Sequence, residues 1–262
     1  AFKEALPNCV HTFVFDTAFH STMTPDTYLY ALPYEYYEKY QIRRYGFHGT
    51  SHKYVSQRCA ELMGRKVEDM KIITCHLGNG ASITAVDGGR SINTSMGFTP
   101  MAGVMMGTRC GDIDPAIVTF LQKKEGLSAD AVEDILNKHS GMLGVSGVSS
   151  DGRDVEDAAK EGNERAILTE SMYANRVASY IGSYYVQLGG LDAIVFTGGI
   201  GENDGNMRKR IIDRVKVIGA EIDDANNKGV RGIEKCLSSA DSKVAVWLIP
   251  TNEELMIARD AY

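Results

Sequence analysis

The chain has 262 residues, 44% of them apolar and 24% charged, which is enough for a large core and for two lobes. With 28 basic and 34 acidic residues and a formal charge of −6, it lacks the basic surface that holds a nucleic-acid backbone, so nucleic acid is not an expected partner. No apolar run approaches the roughly 20 residues of a bilayer-spanning helix, so no membrane is expected either, and the cysteines, scattered without a CxxC pair, fit reduced thiols in a cytoplasm.

From the N-terminus, HTFVF (11–15) reads as a buried strand whose end delivers Asp16. An aromatic-rich segment broken by Pro and Gly leads to HGTSH, where His48 and His52 have the i, i+4 spacing of a helical metal pair; Gly49 weakens that helix and no Cys or Glu lies near in sequence. A helical period spans 52–63, with Tyr54, Val55, Cys59 and Leu62 on one face and Gly64 as its stop. KIITCH (71–76) and ASITAV (81–86) are β-rich runs joined by LGNG, and Asp87, Gly88 and Gly89 turn the chain into RSINTS, which makes a β-meander. After the meander, TSMGFTPMAGVMMGTRCGDIDP (94–115) isolates Arg109 in a Gly- and Met-rich loop, and a guanidinium in such a place needs an anion.

Helices are expected at 115–124, 128–138, 154–161 and above all 163–188, where Ile167, Ala174, Val177, Ala178, Ile181, Tyr185 and Leu188 keep a 3.6-residue period up to Gly189-Gly190. Asp114 before Pro115 reads as an N-cap with Pro at the first helical position, Asp112 as part of the same helix start, and His139 as a C-terminal cap. DAIVFT (192–197) is a buried strand followed by a turn, GGIGEN, and a basic helix at about 206–217; VAVWLIP (244–250) is the last strand and runs into TNEELMIARD.

Three loops carry possible chemistry. HLGNGAS (76–82) is either an ordinary hairpin turn or a place where backbone N–H groups approach an anion without Cβ interference. GGIGEN follows a strand and precedes a helix, where open α/β sheets bind phosphorylated ligands. SSDGRD (149–154) is a donor-rich loop that serves equally as an N-cap and turn. HLGNGAS joins strand to strand and the chain has no GxxxxGK(S/T), so neither a P-loop nor a Rossmann fingerprint fits that loop. Asp16 and Glu253, each next to a strand end, are carboxylates of the kind that hold Mg²⁺ or order its waters, or else cap helices.

VFDTAFHSTM, RRYGFHGTSH, HLGNGAS, INTSMGFTPMAGVMMGTRCGDIDP, FTGGIGEN and IPTNEEL, in this order, resemble the acetokinase family throughout the chain. The resemblance implies an α/β lobe of the acetate and sugar kinase, Hsp70 and actin superfamily, with a ribonuclease H-like sheet. It implies the reaction ATP + acetate = ADP + acetyl phosphate with Mg²⁺, or Mn²⁺ in its place, usually in a homodimer and in the cytoplasm. Through it, Asp16 is expected near the metal and acyl substrate, His48 and Arg109 as transition-state stabilisers, and His76, Leu77, Gly78, Asn79 and Gly80 as the β/γ-phosphate loop. Asp151, Gly152 and Arg153, with Gly199, Ile200, Gly201, Glu202 and Asn203, are expected on the adenosine and ribose, and Glu253 on Mg²⁺.

The same resemblance leads one to expect the C-terminal part of a two-lobe kinase: residues 1–20 as the last strand of an N-terminal lobe, 21–253 as the nucleotide-binding lobe, and 254–262 as the start of a closing helix. On that reading the rest of the acyl site and a second phosphate loop lie outside these residues, and the chain alone is inactive. Cys110 stands where Ser is expected. Propionate kinase shares these motifs, and a non-catalytic nucleotide-binding or dimerisation module is the alternative from another class.

Overall fold

The runs of alternating apolar residues become the centre of one sheet. In the computed structural model, which describes residues 2–262, β1 (Lys71–Leu77), β2 (Ala81–Asp87) and β3 (Arg90–Thr94) form an antiparallel meander. With β4 (Ala193–Thr197), β5 (Lys235–Cys236) and β6 (Ala245–Leu248) the sheet order is β3-β2-β1-β4-β6-β5. Strand β4 is parallel to β1 and β6 is parallel to β4. Three antiparallel strands continued by two that run parallel to the first is the ribonuclease H-like order. The β2–β3 turn is Gly88-Gly89, both at positive φ (+56° and +75°), the conformation a two-residue hairpin demands.

Strand side chains alternate between faces, and the two faces of this sheet differ chemically. Ile73, Cys75 and Leu77 of β1, with Ala81, Ile83 and Ala85 of β2, meet Tyr173, Ala174, Val177, Ile181, Tyr184 and Leu188 of the long helix Glu164–Leu188 in the main core. Each buried Val, Ile or Leu among them contributes about 1.5–3 kcal/mol, and each Ala less. That helix starts where the Asn163 side chain accepts from the N–H groups of Arg165 and Ala166, both at 3.1 Å, and stops at Gly189 with φ +63°. Its buried face is rotated slightly from the expected one: Ile167 is 46% exposed, and Tyr173 and Tyr184 take core positions. The opposite face of β1 and β2 carries Ile72 and Val86 beside Thr74, His76, Ser82 and Thr84, all but His76 fully buried, under the helices Gly49–Leu62 and Glu253–Ala261.

Most elements lie where the sequence places them, with four corrections. Residues 11–15 are not a strand: Phe13 and Phe15 are 72% and 68% exposed, and no described strand pairs with this segment, so its apolar run has no core to enter. GGIGEN is a helix of its own, Gly198–Asn203, entered through Gly198 at φ +76° and followed directly by Gly205–Arg214, whose cap Asp204 accepts from Met207 N at 2.8 Å. The 206–217 expectation resolves into that helix and a 3₁₀ turn, Lys216–Ile218. Asp114 does cap, accepting from Ala116 N at 2.9 Å, whereas Asp112 does not. Its carboxylate accepts from Gly103 N at 2.8 Å and from the Tyr180 hydroxyl, pinning the glycine loop to the long helix.

Cys59 and Cys75 are buried, and burial pushes the Cys59 thiol up to about 12 and the Cys75 thiol higher still; they act as small core residues.

Candidate active site

The three parallel strands β1, β4 and β6 end on the same edge, so the segments that leave them, 78–80, 198–203 and 249–253, are gathered in one place, the position where open α/β sheets hold ligands. Glu202 ties the edge together. Its Oε1 accepts from Gly198 N at 2.9 Å, from Thr251 N at 3.2 Å and from the Thr197 hydroxyl at 3.3 Å. This carboxylate, expected on the nucleotide, is instead occupied by the backbone of two loops, because N–H groups at a helix start attract a nearby anion. Gly201 is likewise buried beneath the edge, where an added Cβ would sit 3.5 Å from Phe196 C and 3.6 Å from Cys75 O.

Beside the edge is a cleft of about 830 Å³. From the expected set it is lined by Gly78 and Asn79, by Asp151, Gly152 and Arg153, and by Gly199, Ile200 and Asn203. Gly78 and Gly199 approach each other closely, a Cβ on the former lying 3.6 Å from the amide N of the latter. Leu77 ends β1 with its side chain wholly in the core. Asp151 caps the helix Gly152–Lys160, accepting from Arg153 N at 2.9 Å, and also binds the Arg153 guanidinium, which holds its carboxyl down at about 2. The far wall contains Lys228, Gly229, Val230 and Arg231, together with Glu156, none of them singled out from sequence. Their signal was present in NNKGVRG, a glycine at φ +75° flanked by cations, but no periodic element frames it.

Arg109, His48 and Asp16 meet at the end of the same edge. An added Cβ on Gly80 would lie 3.3 Å from Arg109 Nη1 and 3.4 Å from His48 Nε2, so both donors converge on the phosphate-type loop. Arg109 donates to Pro100 O at 3.2 Å and to Met106 Sδ at 3.6 Å, and has no carboxylate partner among the described residues. The loop that carries it is clamped by Met106 N to Arg109 O, Cys110 N to Leu136 O and the Asp112 contacts. A half-buried guanidinium next to Gly80, on clamped backbone and with no carboxylate partner among the described residues, is a charge suited to an anion.

His48 adopts a left-handed backbone (φ 56°, ψ 27°), uncommon for a residue other than Gly. Asp16 holds it there: its Oδ2 accepts from His48 N at 2.7 Å and its carbonyl accepts from Gly49 N at 2.8 Å, which supplies partners for the start of the helix Gly49–Leu62. A Cβ on Gly49 would fall 2.3 Å from Asp16 O, so only Gly fits. The His48 ring stacks on His76 at 4.1 Å, and its Nδ1 lies 2.9 Å from Ser82 Oγ. Burial lowers its pKa, and Arg109 adds to the lowering, against a raising contribution from Asp16. Burial also depresses His76, to about 3, so both rings are neutral donors at pH 7. The His48/His52 spacing does not make a metal pair, since both ring nitrogens of His52 are engaged, by Thr74 and Ser82, each at 2.7 Å.

Glu253 opens the helix Glu253–Ala261; desolvation raises its pKa, and the charge of Asp16 raises it further, so the two carboxylates feel each other. Among the described residues no group of three or more His, Cys, Asp or Glu side chains gathers to hold a metal. Two hard oxygen donors that leave the remaining positions to water and phosphate oxygens fit the habit of Mg²⁺.

The sheet order and the loops at its parallel-strand ends place the chain in the class of α/β proteins with a ribonuclease H-like sheet and a ligand cleft at its carboxyl edge. Residues 1–259 match the acetokinase family, and the chain belongs to that family. It is 58% identical over 260 residues to acetate kinase 2 of Listeria monocytogenes serotype 4b, and 58% identical over 260 residues to the acetate kinase of Clostridioides difficile, covering 99% of this chain and 65% of each relative. The solved acetate kinase of Porphyromonas gingivalis superimposes with a TM-score of 0.96 at 49% identity, covering 99% of this chain and 65% of that one. A propionate kinase of Francisella tularensis gives 0.93 at 44% identity, covering 99% and 66%. The chain thus spans about two thirds of the length of the curated relatives that it matches.

Proposed function

We propose that this chain carries the nucleotide-binding lobe and most of the phosphoryl-transfer machinery of an acetate kinase, ATP + acetate = ADP + acetyl phosphate. The convergence of Arg109 Nη1 and His48 Nε2 on Gly80, beside a cleft lined by two glycine loops, is the observation that supports it most. Phosphoryl transfer asks little covalent chemistry of a protein and much positioning and charge neutralisation. In this reading His76 to Gly80 face the β- and γ-phosphates, with the backbone rather than the Leu77 side chain in contact. Asp151 to Arg153 and Gly199, Ile200 and Asn203 flank the adenosine, while Gly201 and Glu202 support that contact from beneath. Arg109 and His48 donate to the phosphoryl oxygens as charge shifts between the attacking and leaving oxygens.

Acetate is itself the nucleophile, so no general base is required, and Asp16 orients His48 and orders the metal's water. Asp16 and Glu253 would hold Mg²⁺, or Mn²⁺, which when bound neutralises phosphate charge. The cleft is completed, in this reading, by a second lobe that residues 1–20 and 254–262 adjoin. The chain of 262 residues alone is then inactive, the enzyme acts as a homodimer, and its place is the cytoplasm, in keeping with the absence of any described helix long and apolar enough to cross a membrane.

The test is a hydroxamate assay for acetyl phosphate. A polypeptide with these residues at the full length of the relatives is expected to form it from ATP and acetate, and the isolated chain is not. No product from the full-length form, with ADP still bound, would replace the kinase by a nucleotide-binding module. The Francisella relative supports one variation, a propionate preference, which the same assay decides by comparing kcat/KM for the two acids.

A further inference from the structure

Where the sheet faces the helix Gly49–Leu62 lie three polar side chains that the proposed chemistry does not use, Thr74, His52 and Ser82, in a line that ends on His48. Thr74 Oγ1 lies 2.7 Å from His52 Nδ1, His52 Nε2 lies 2.7 Å from Ser82 Oγ, and Ser82 Oγ lies 2.9 Å from His48 Nδ1. Thr74, His52 and Ser82 are all fully buried. Strand alternation puts Thr74 and Ser82 on this face, and the β1–β2 register sets Ser82 directly opposite His76.

We propose that Thr74, His52 and Ser82 form a one-way hydrogen-bond chain that fixes His48 as the Nε2–H tautomer and aims that N–H at the Gly80 loop. They are positioning residues for the phosphoryl transfer proposed above, and the inference rests on that reading only for its purpose. Donor counting sets the direction. Each hydroxyl has one hydrogen and each neutral ring one N–H. If Thr74 donates to His52 Nδ1, His52 Nε2–H donates to Ser82, Ser82 donates to His48 Nδ1, and the His48 proton is left on Nε2. Each side-chain donor of Thr74, His52 and Ser82 then has an acceptor.

In the reverse direction His52 Nδ1–H donates to Thr74, and the Thr74 hydroxyl hydrogen is left over. Among the described residues Thr74 Oγ1 has no second partner, so that arrangement strands a buried donor and costs its full desolvation. A parallel line ends on the neighbouring ring in the same sense. The Thr251 hydroxyl donates to Ser51 Oγ at 2.9 Å, which leaves the Ser51 hydrogen for His76 Nδ1 at 2.8 Å and the His76 proton on Nε2. Both rings therefore present N–H rather than a lone pair on the Nε2 side. For His48 that atom lies beside Arg109 Nη1, where a second donor to an anion is useful and an acceptor would be wasted.

Ring ¹⁵N shifts measured by long-range ¹H–¹⁵N correlation on the histidine-labelled 262-residue chain test this, at about pH 8 where imidazoles are neutral. The measurement needs no kinase activity, so its failure is distinct from failure of the proposed function. The His48 signal, assigned by its loss in His48→Gln, is expected to show a single Nε2–H tautomer. Thr74→Val, which removes only the hydroxyl at the far end, is expected to turn His48 into a mixture of tautomers, and Thr74→Ser to restore the single form. A His48 ring protonated on Nδ1 in the unmodified chain would overturn the proposal without recourse to any variant. So would a single Nε2–H tautomer that survives in Thr74→Val.

Discussion

Arg109 and Glu202 show how two charged side chains of one edge take opposite roles. The guanidinium has no carboxylate partner among the described residues, whereas the carboxylate expected on the nucleotide is spent on backbone N–H groups. Glu202→Ala removes the acceptor for Gly198 N and Thr251 N, and should lower stability by about 1–3 kcal/mol. Glu202→Gln, which keeps one oxygen, should lose less. Equal denaturation midpoints for the two variants would mean that the carboxylate does not pin the loops. Gly49→Ala places a methyl 2.3 Å from Asp16 O, so the Asp16 segment must move. A loss of about 1–3 kcal/mol is expected from such overpacking, together with a fall in kcat as His48 loses its anchor. Unchanged chemical denaturation would show that the Asp16 segment yields freely.

At the scale of elements, the meander was legible because KIITCH and ASITAV are β-rich runs joined by glycine turns, and strand alternation then sorts hydroxyls and imidazoles from the core side. What alternation cannot show is pairing across distance. Arg109 lies in a loop clamped by Asp112, and His48 at the start of a helix held by Asp16; only the sheet brings them together at Gly80. HTFVF was misread for the same reason. A strand is a relation between neighbours, and the apolar run at 11–15 has none among the described strands. GGIGEN was misread as a turn because glycines usually break helices, whereas here they let the helix pack closely on β1 and β4. Asp112→Ala should free Gly103 N and the Tyr180 hydroxyl together, so hydrogen exchange at Gly103 should accelerate and kcat should drop while the sheet amides stay protected. Protection at Gly103 equal to that of the unmodified chain would remove Asp112 from the clamp.

Across the whole molecule, the buried histidines set an acid limit. Burial depresses His20 to about 4 and His76 to about 3, from 6.5 in the unfolded chain. Folded pKa values below the unfolded one mean that the unfolded state binds more protons as pH falls, so this stability is complete above about 6.5 and is lost on acidification towards 4. Each ring adds a slope of up to about 1.4 kcal/mol per pH unit. Denaturant midpoints measured from pH 7 to 5, above most carboxylate titrations, should therefore decline, and a flat profile would contradict neutral burial of these rings. Family membership was legible throughout the chain from its ordered motifs, while the Lys228–Arg231 wall was not, since it belongs to an irregular segment whose place depends on Arg208, a buried guanidinium that donates to Asn227 Oδ1, Gly201 O and Val230 O.

The central claim is that Arg109 faces the phosphoryl group in flight, and steady-state kinetics of Arg109→Ala in the full-length enzyme tests it most directly. The expected result is a kcat lowered by about 10³ to 10⁵ with a KM for ATP changed far less. A kcat within a few-fold of the unmodified enzyme, or a loss confined to KM, would contradict it.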